Sequence, residues 1–239
     1  MSSEFRFKQF TIRQENTAMK VGTDGVLLGA WAQLKEAFSI LDIGTGTGLI
    51  ALQLAQKSYA EVIDALEIED AAYEQAVENF EQSDWGDRLF CYHASFNEFV
   101  SEMENEKYDF IISNPPFYTS TVKEDTVVSA RLKARHVESL SYEELLKGSA
   151  KLLAEKGECA YIIPFKEEAS FLKIASNYNL FPNRITRVKG TEKAEIKRSL
   201  LQLSFQEVKP EFSELVIEIK RHVYTQEYID LVQDFYLKM

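Results

Sequence analysis

The segment Ile40-Leu41-Asp42-Ile43-Gly44-Thr45-Gly46-Thr47-Gly48-Leu49-Ile50 constrains this chain more than any other. An apolar, strand-like run passes through a glycine-rich turn and enters a helix-like stretch without a spacer. Glycines at such a turn let a ligand come close to the backbone, and the helix N–H groups point at whatever sits above. The dinucleotide fingerprint needs G-x-G-x-x-G, but here the third glycine comes one residue early and Leu49 holds the fingerprint position. No Lys-Ser/Thr pair follows, so the phosphate-loop pattern fails too. The turn predicts a nucleoside-type ligand outside both of those classes.

The rest of the chain repeats the same theme. Residues 38–43, 62–68, 89–92, 108–113 and 158–164 read as buried strands. Helix-like segments lie at 49–56, at 71–80 after a cap at Asp70, and at 142–153 behind the capping box Ser141-Tyr142-Glu143-Glu144. This alternation predicts βαβ units and an α/β fold with a mostly parallel sheet covered on both faces. Residues 184–188 and 199–205 flank a polar connection with Gly190 and predict a terminal antiparallel hairpin, and 228–237 predicts a closing helix. With no Pro/Gly/Ser-rich linker, residues 38–239 read as one domain behind an extension, 1–37.

Two more signals fall at expected strand ends. Glu67 follows Gly44 by 23 residues, near the spacing of about 20 at which a carboxylate accepts hydrogen bonds from a ribose diol. Glu69 is its rival. Ser113-Asn114-Pro115-Pro116-Phe117-Tyr118 follows the apolar run 108–112 directly. Two prolines stiffen that backbone, so the Asn114 amide and the Pro115 carbonyl are held in place. Together they can accept both protons of a planar NH₂ group while Phe117 stacks on the ring that bears it.

At these residues the chain resembles a known family. Residues 41–48 with Glu67 are similar to motif I and its acidic partner in class I S-adenosylmethionine-dependent methyltransferases. Asn114-Pro115-Pro116-Phe117 resembles the (D/N/S)PP(Y/F/W) motif of the amino-group methyltransferases. Residues 7–10 and 18–31, Ala134-Arg135-His136 and residues 224–238 are similar to the tRNA1(Val) adenosine-37 N6-methyltransferases. The resemblance implies a Rossmann-like sheet of seven strands with helices on both faces and a C-terminal antiparallel hairpin. It implies S-adenosylmethionine as cofactor, held by Asp42, Gly44, Thr45, Gly46, Gly48, Glu67, Ile68 and Asn114. Lys20, Thr23 and Asp24 of the N-terminal motif would cover its methionine end, where Asp24 could equally serve as a helix cap. Ser95 stands where relatives often place an aspartate for the cofactor's adenine amine, with Phe96 beside it. Asn114, Pro115 and Phe117 carry the transfer to N6 of adenine.

Acids outnumber bases by 38 to 27, a net charge of −11 that on its face argues against a nucleic-acid partner. The excess is local. Residues 61–106 hold 14 acids and one base, Arg88, while the remainder holds 24 acids and 26 bases. The acidic stretch reads as a solvated face. Bases cluster at Arg131, Lys133 and Arg135, in a polar connection of about 20 residues, a length often functional. Six more lie between Arg184 and Arg198, Lys189 among them. Gathered on one side, these would permit a polyanion partner, and the resemblance implies that this is a tRNA, in particular the valine anticodon arm.

No apolar run approaches the roughly 18 residues of a membrane span, and the N-terminus shows no signal core. Cys91 and Cys159 read as buried thiols, and three widely spaced histidines form no metal cluster. A cytoplasmic enzyme without a metal is expected. Two other readings share part of the pattern: a protein-glutamine (release factor) methyltransferase, and a non-catalytic nucleotide-binding module. The former usually carries an additional N-terminal helical domain, where about 37 residues precede the first strand here.

Overall fold

A computed structural model describes residues 3–15, 17, 20–115 and 140–239. Phe117, Arg131, Lys133, Arg135 and His136 lie outside the described residues. The hairpin β1 (Glu4–Arg6) and β2 (Thr11–Arg13) precedes α1 (Thr23–Trp31). An alternating series follows: β3 (Ser39–Ile43), α2 (Leu49–Lys57), β4 (Val62–Glu67), α3 (Asp70–Glu81), β5 (Leu89–His93), α4 (Phe96–Glu102) and β6 (Tyr108–Ser113). After residue 140 come α5 (Tyr142–Leu152), β7 (Leu153–Pro164), α6 (Glu168–Ser176), β8 (Phe181–Thr191) and β9 (Ile196–Ser204). The chain closes with β10 (Glu211–Lys220), β11 (Val223–Tyr224) and α7 (Gln226–Val232).

The main sheet runs β11-β10-β8-β9-β7-β6-β3-β4-β5. Strands β5, β4, β3, β6 and β7 are parallel, and β9 inserts antiparallel between β7 and β8 as the expected hairpin. The seven expected strands are extended by two. β10 pairs parallel with β8, from Glu211 against Arg184 to Glu218 against Thr191, and β11 turns back antiparallel on β10. Neighbouring residues along the central strands alternate between two cores. Ile40, Ile112, Ile162 and Leu200 pack with α1 and α2 on one face; Leu41, Ile111, Ile163 and Leu201 pack with α4, α5 and α6 on the other.

Residues 1–37 share the first of these cores through Phe7, Phe10, Ile12 and α1. Helix α1 is buried from Gly25 to Trp31 and has no basic residue in its last turn. Its terminal carbonyls are satisfied from elsewhere. Lys57 Nζ donates to the carbonyls of Gly29, Ala30 and Ala32 at 3.2, 2.7 and 2.7 Å, and Arg184 donates to Trp31 O at 2.9 Å. The N-terminal hairpin closes on the chain's last residues, where Lys8 N donates to Phe235 O at 2.8 Å and Phe7 stacks on Tyr236.

Some local expectations change. Glu69 caps α3, its carboxylate accepting from Ala72 N at 2.9 Å, and Asp70 is the first helical residue. The closing helix ends at Val232 and is capped by Thr225. The Ser141–Glu144 capping box is present as read.

Candidate active site

Chain order reverses direction at the seam between β3 and β6, the switch point where open α/β sheets bind ligands. Register sets what meets there. Ile43 pairs with Ser113 on one side and Leu66 on the other, and Leu66 pairs with Tyr92. Gly44, Asn114, Glu67 and His93 therefore leave the sheet at one level.

Gly44, Gly46 and Gly48 take φ of +70°, +59° and +82°, the left-handed region that a side chain resists. A Cβ added at Gly44 or Gly46 would meet nothing within 4 Å, so the turn's backbone faces open space. At Gly48 a Cβ would lie 2.4 Å from Phe80 Cε1, so that glycine serves packing beneath the turn. Asp42 holds the turn from below. Its Oδ2 accepts from Thr45 Oγ1 at 2.6 Å and from Ala51 N at 3.2 Å. Fully buried, its carboxyl is pushed up to about 7 by desolvation. Asp42 thus shapes the turn and faces no open space itself.

Glu67 sits beside the opening. Its Oε2 accepts from Gly46 N at 2.8 Å, and its Oε1 accepts from Ile68 N and Glu69 N, both at 2.9 Å. A carboxylate offers about four lone-pair sites, so capacity for a further donor remains. Ile68 follows with half its surface exposed, an apolar face next to the turn. His93 stacks on Tyr73 with centroids 4.9 Å apart, and its Nε2 lies 3.1 Å from both Ile68 O and Asp70 Oδ1. Sequence reasoning missed this histidine.

The two residues beyond it have other partners. Ser95 caps α4 in a capping box, its Oγ bonded to Glu98 Oε2 at 2.6 Å. Phe96 is buried in the second core against Gly148. Lys20 donates to Gln14 O, tying down the loop after β2.

Across the seam, Asn114 is half-buried and Pro115 buried. The Asn114 Oδ1 is buried with no hydrogen-bond partner among the described residues. Such an atom costs about 1–3 kcal/mol unless a donor reaches it. Helix α1 starts beside it: a Cβ on Gly25 would lie 4.0 Å from Asn114 Nδ2. Gly22 caps α1, so Asp24 lies in the first turn, where its Oδ2 accepts from Arg198 Nε at 2.8 Å. Lys189 pairs with Glu214 at 2.7 Å. Asn79, also absent from the sequence reading, donates to Thr47 O at 2.8 Å and exchanges hydrogen bonds with the Arg13 backbone. It locks the glycine turn to the N-terminal hairpin.

A glycine turn, a carboxylate and an unpaired amide oxygen thus meet at the switch point of the sheet. The chain matches the methyltransferase small domain over residues 22–170. It is 62% identical to a tRNA1(Val) (adenine(37)-N6)-methyltransferase of Christiangramia forsetii, with 98% of each chain covered. It is 60% identical to the Flavobacterium johnsoniae protein of the same description, over 98% of this chain and all of that one. The chain belongs to the tRNA1(Val) (adenine(37)-N6)-methyltransferase family. Its fold is that of a protein of Agrobacterium tumefaciens described as a predicted O-methyltransferase: TM-score 0.69, 18% identity, covering 89% of this chain and 96% of that one.

Proposed function

We propose that this chain transfers the methyl group of S-adenosylmethionine to N6 of adenosine 37 in the anticodon loop of tRNA1(Val). The observation that carries this reading is the Asn114 amide oxygen, buried and unpaired at the level of the glycine turn.

The residues present fit the cofactor. Open space above Gly44 and Gly46 admits it, Glu67 has capacity for a ribose hydroxyl, and Ile68 offers an apolar face to a base. Asp42 and Thr45 would set the turn, while Thr23 and Asp24 would close the methionine end, making residues 1–37 a cover for the site. Ser95, Phe96 and Lys20 would act by holding local backbone. S-adenosylmethionine supplies an electrophilic methyl group on a sulfonium sulfur.

The acceptor nitrogen is weakly nucleophilic because its lone pair is delocalised into the adenine ring. Hydrogen bonds from N6–H to Asn114 Oδ1 and to the Pro115 carbonyl would favour a pyramidal nitrogen and direct its lone pair at the methyl group. Phe117 would clamp the base, and the surplus proton leaves to water after transfer. An unpaired loop adenosine is less costly to extrude than one in a duplex. Arg131, Lys133, Arg135, Lys189 and Arg198 would contact RNA phosphates, the last two after exchanging their carboxylate partners. Among the described residues no helix is long and apolar enough to cross a membrane; we infer a cytoplasmic site of action, where the tRNA is.

The test incubates purified protein and S-adenosylmethionine with unmodified valine tRNA and digests the product for mass spectrometry. N6-methyladenosine at position 37 is the expected product, absent when guanosine replaces that adenosine. Methylation of a release-factor glutamine in place of the tRNA would overturn the reading.

A further inference from the structure

A cleft opens on the far side of α1 from the glycine turn and Asn114, with a volume of about 560 Å³. It lies between the N-terminal hairpin, the start of α1, the tip of the β8–β9 hairpin and the C-terminal residues. Its walls are aromatic. Tyr224 and Tyr228 have ring centroids 5.2 Å apart, and Phe5 meets Tyr236 edge-on at 6.1 Å. Arg6 and Lys238 line it as cations, and Glu218 is its acid. The Arg6 side chain is 71% exposed and pairs with Glu4 at 3.3 Å.

The cleft's position gives it meaning. Thr23 lines it, and two residues on, about half a turn round the helix, Gly25 abuts Asn114, so the width of α1 separates cleft from amide. Gly190 lines it too, at the tip of the hairpin bearing Lys189 and Arg198. Extruding a target base breaks its stacking on its neighbours, which then need another surface. Aromatic faces supply one without regard to sequence, and flanking cations hold the phosphates. A carboxylate inside the cleft repels a phosphate but accepts from a base N–H. The geometry points to a stacking site for an unpaired nucleotide adjoining the target adenosine: its base enters the cleft, and Arg6 and Lys238 take its phosphates. This inference rests on the RNA reading proposed above.

The test uses the full chain with S-adenosylmethionine and a valine anticodon stem–loop carrying 5-iodouridine next to the target adenosine. Irradiation is expected to crosslink that nucleotide to the peptide spanning residues 223–239. Tyr224→Ala should raise the KM for the stem–loop about tenfold with kcat retained, and Tyr224→Phe should restore it. Paired Arg6→Ala and Lys238→Ala changes, both at exposed positions, should raise KM and lower its salt dependence. Calorimetric binding of S-adenosylmethionine should be the same in all variants, which certifies their folding. A crosslink elsewhere with an unaltered KM overturns the inference and leaves the methyltransferase reading standing. So does a change in oligomeric mass in place of KM, which would make a second copy of the chain the occupant. Failure of the wild-type chain to methylate any RNA overturns both readings.

Discussion

The two halves of the sheet on either side of the β3–β6 seam are built differently. In the β3–β4–β5 half, the groups around the opening lie within a few residues of a strand end: the glycine turn after β3, Glu67 and Ile68 at the end of β4, His93 at the end of β5. In the β7–β9–β8–β10 half, the notable side chains are cations held by acids distant in sequence. Arg198 pairs with Asp24, Lys189 with Glu214 and Arg187 with Glu168. A run of bases in the sequence is therefore not a bare positive surface. The first half presents backbone N–H groups and shape, the second cations already neutralised by carboxylates.

Four experiments break or sharpen that contrast. The largest effect belongs to the seam. Asn114→Ala should lower kcat about 100- to 1,000-fold, the usual loss for one preorganised polar contact, with cofactor affinity much less affected. Single-turnover methylation alongside calorimetric binding separates the two; an equal loss in both would assign Asn114 to cofactor binding alone.

The next concerns Asp42. Its carboxyl lies at about 7 in the folded chain against an ordinary 3.8. Between those values the folded state holds a proton that the unfolded state has released, so its contribution is complete below about pH 4 and lost as pH rises through 7. Asp42→Asn keeps an acceptor for Thr45 and Ala51 but removes the titration. Urea denaturation across this window should show the variant gaining up to about 4 kcal/mol over wild type as pH rises. A pH-independent difference would refute the burial argument.

Two glycines of one turn should then differ. Gly48→Ala combines left-handed backbone with a clash on Phe80 and should cost about 2–5 kcal/mol. Gly46→Ala faces open space and should cost only about 1–2 kcal/mol, while weakening cofactor binding more than Gly48→Ala does. Denaturation and calorimetry together would show whether cradle and packing are separable.

The smallest effect lies in the basic half. Glu214→Gln should cost less than about 1 kcal/mol of stability, as for other partly exposed ion pairs. It frees Lys189, so RNA affinity should rise and its log–log salt slope steepen by about one. An unchanged slope would remove Lys189 from the RNA contact.

What could be read in the sequence follows the same divide. Strands β3, β4 and β6 are short buried runs with turn residues at their ends, and the glycine turn, Glu67 and Asn114 are fixed by adjacent residues; β5, expected buried, is an edge strand with only Leu89 buried. Helix α1 gave no periodic signal because Gly25 through Trp31 are all buried, and such a helix has no polar face to set the period. β10 reads Glu-Phe-Ser-Glu-Leu-Val-Ile-Glu-Ile-Lys, mostly exposed at the sheet margin, and only its pairing with β8 makes it a strand. Helix α4 carries a local signal, the capping box Ser95-x-x-Glu98. His93 and Asn79 depend on partners brought in by other elements and leave no mark at any fixed spacing.

The capping of α1 by Lys57 and Arg184 ties the site to distant parts of the chain. Nine residues make too short a helix to persist alone in water, and Arg184 follows Trp31 by 153 positions. The glycine turn and Asn114 lie far before Arg184, the second of the two cations that steady the helix beside them; Lys57, the first, lies between turn and amide. Phe235, which fastens the N-terminal hairpin, lies further along still. The glycine turn is thus local in sequence, whereas the helix beside it is held by groups that lie far along the chain.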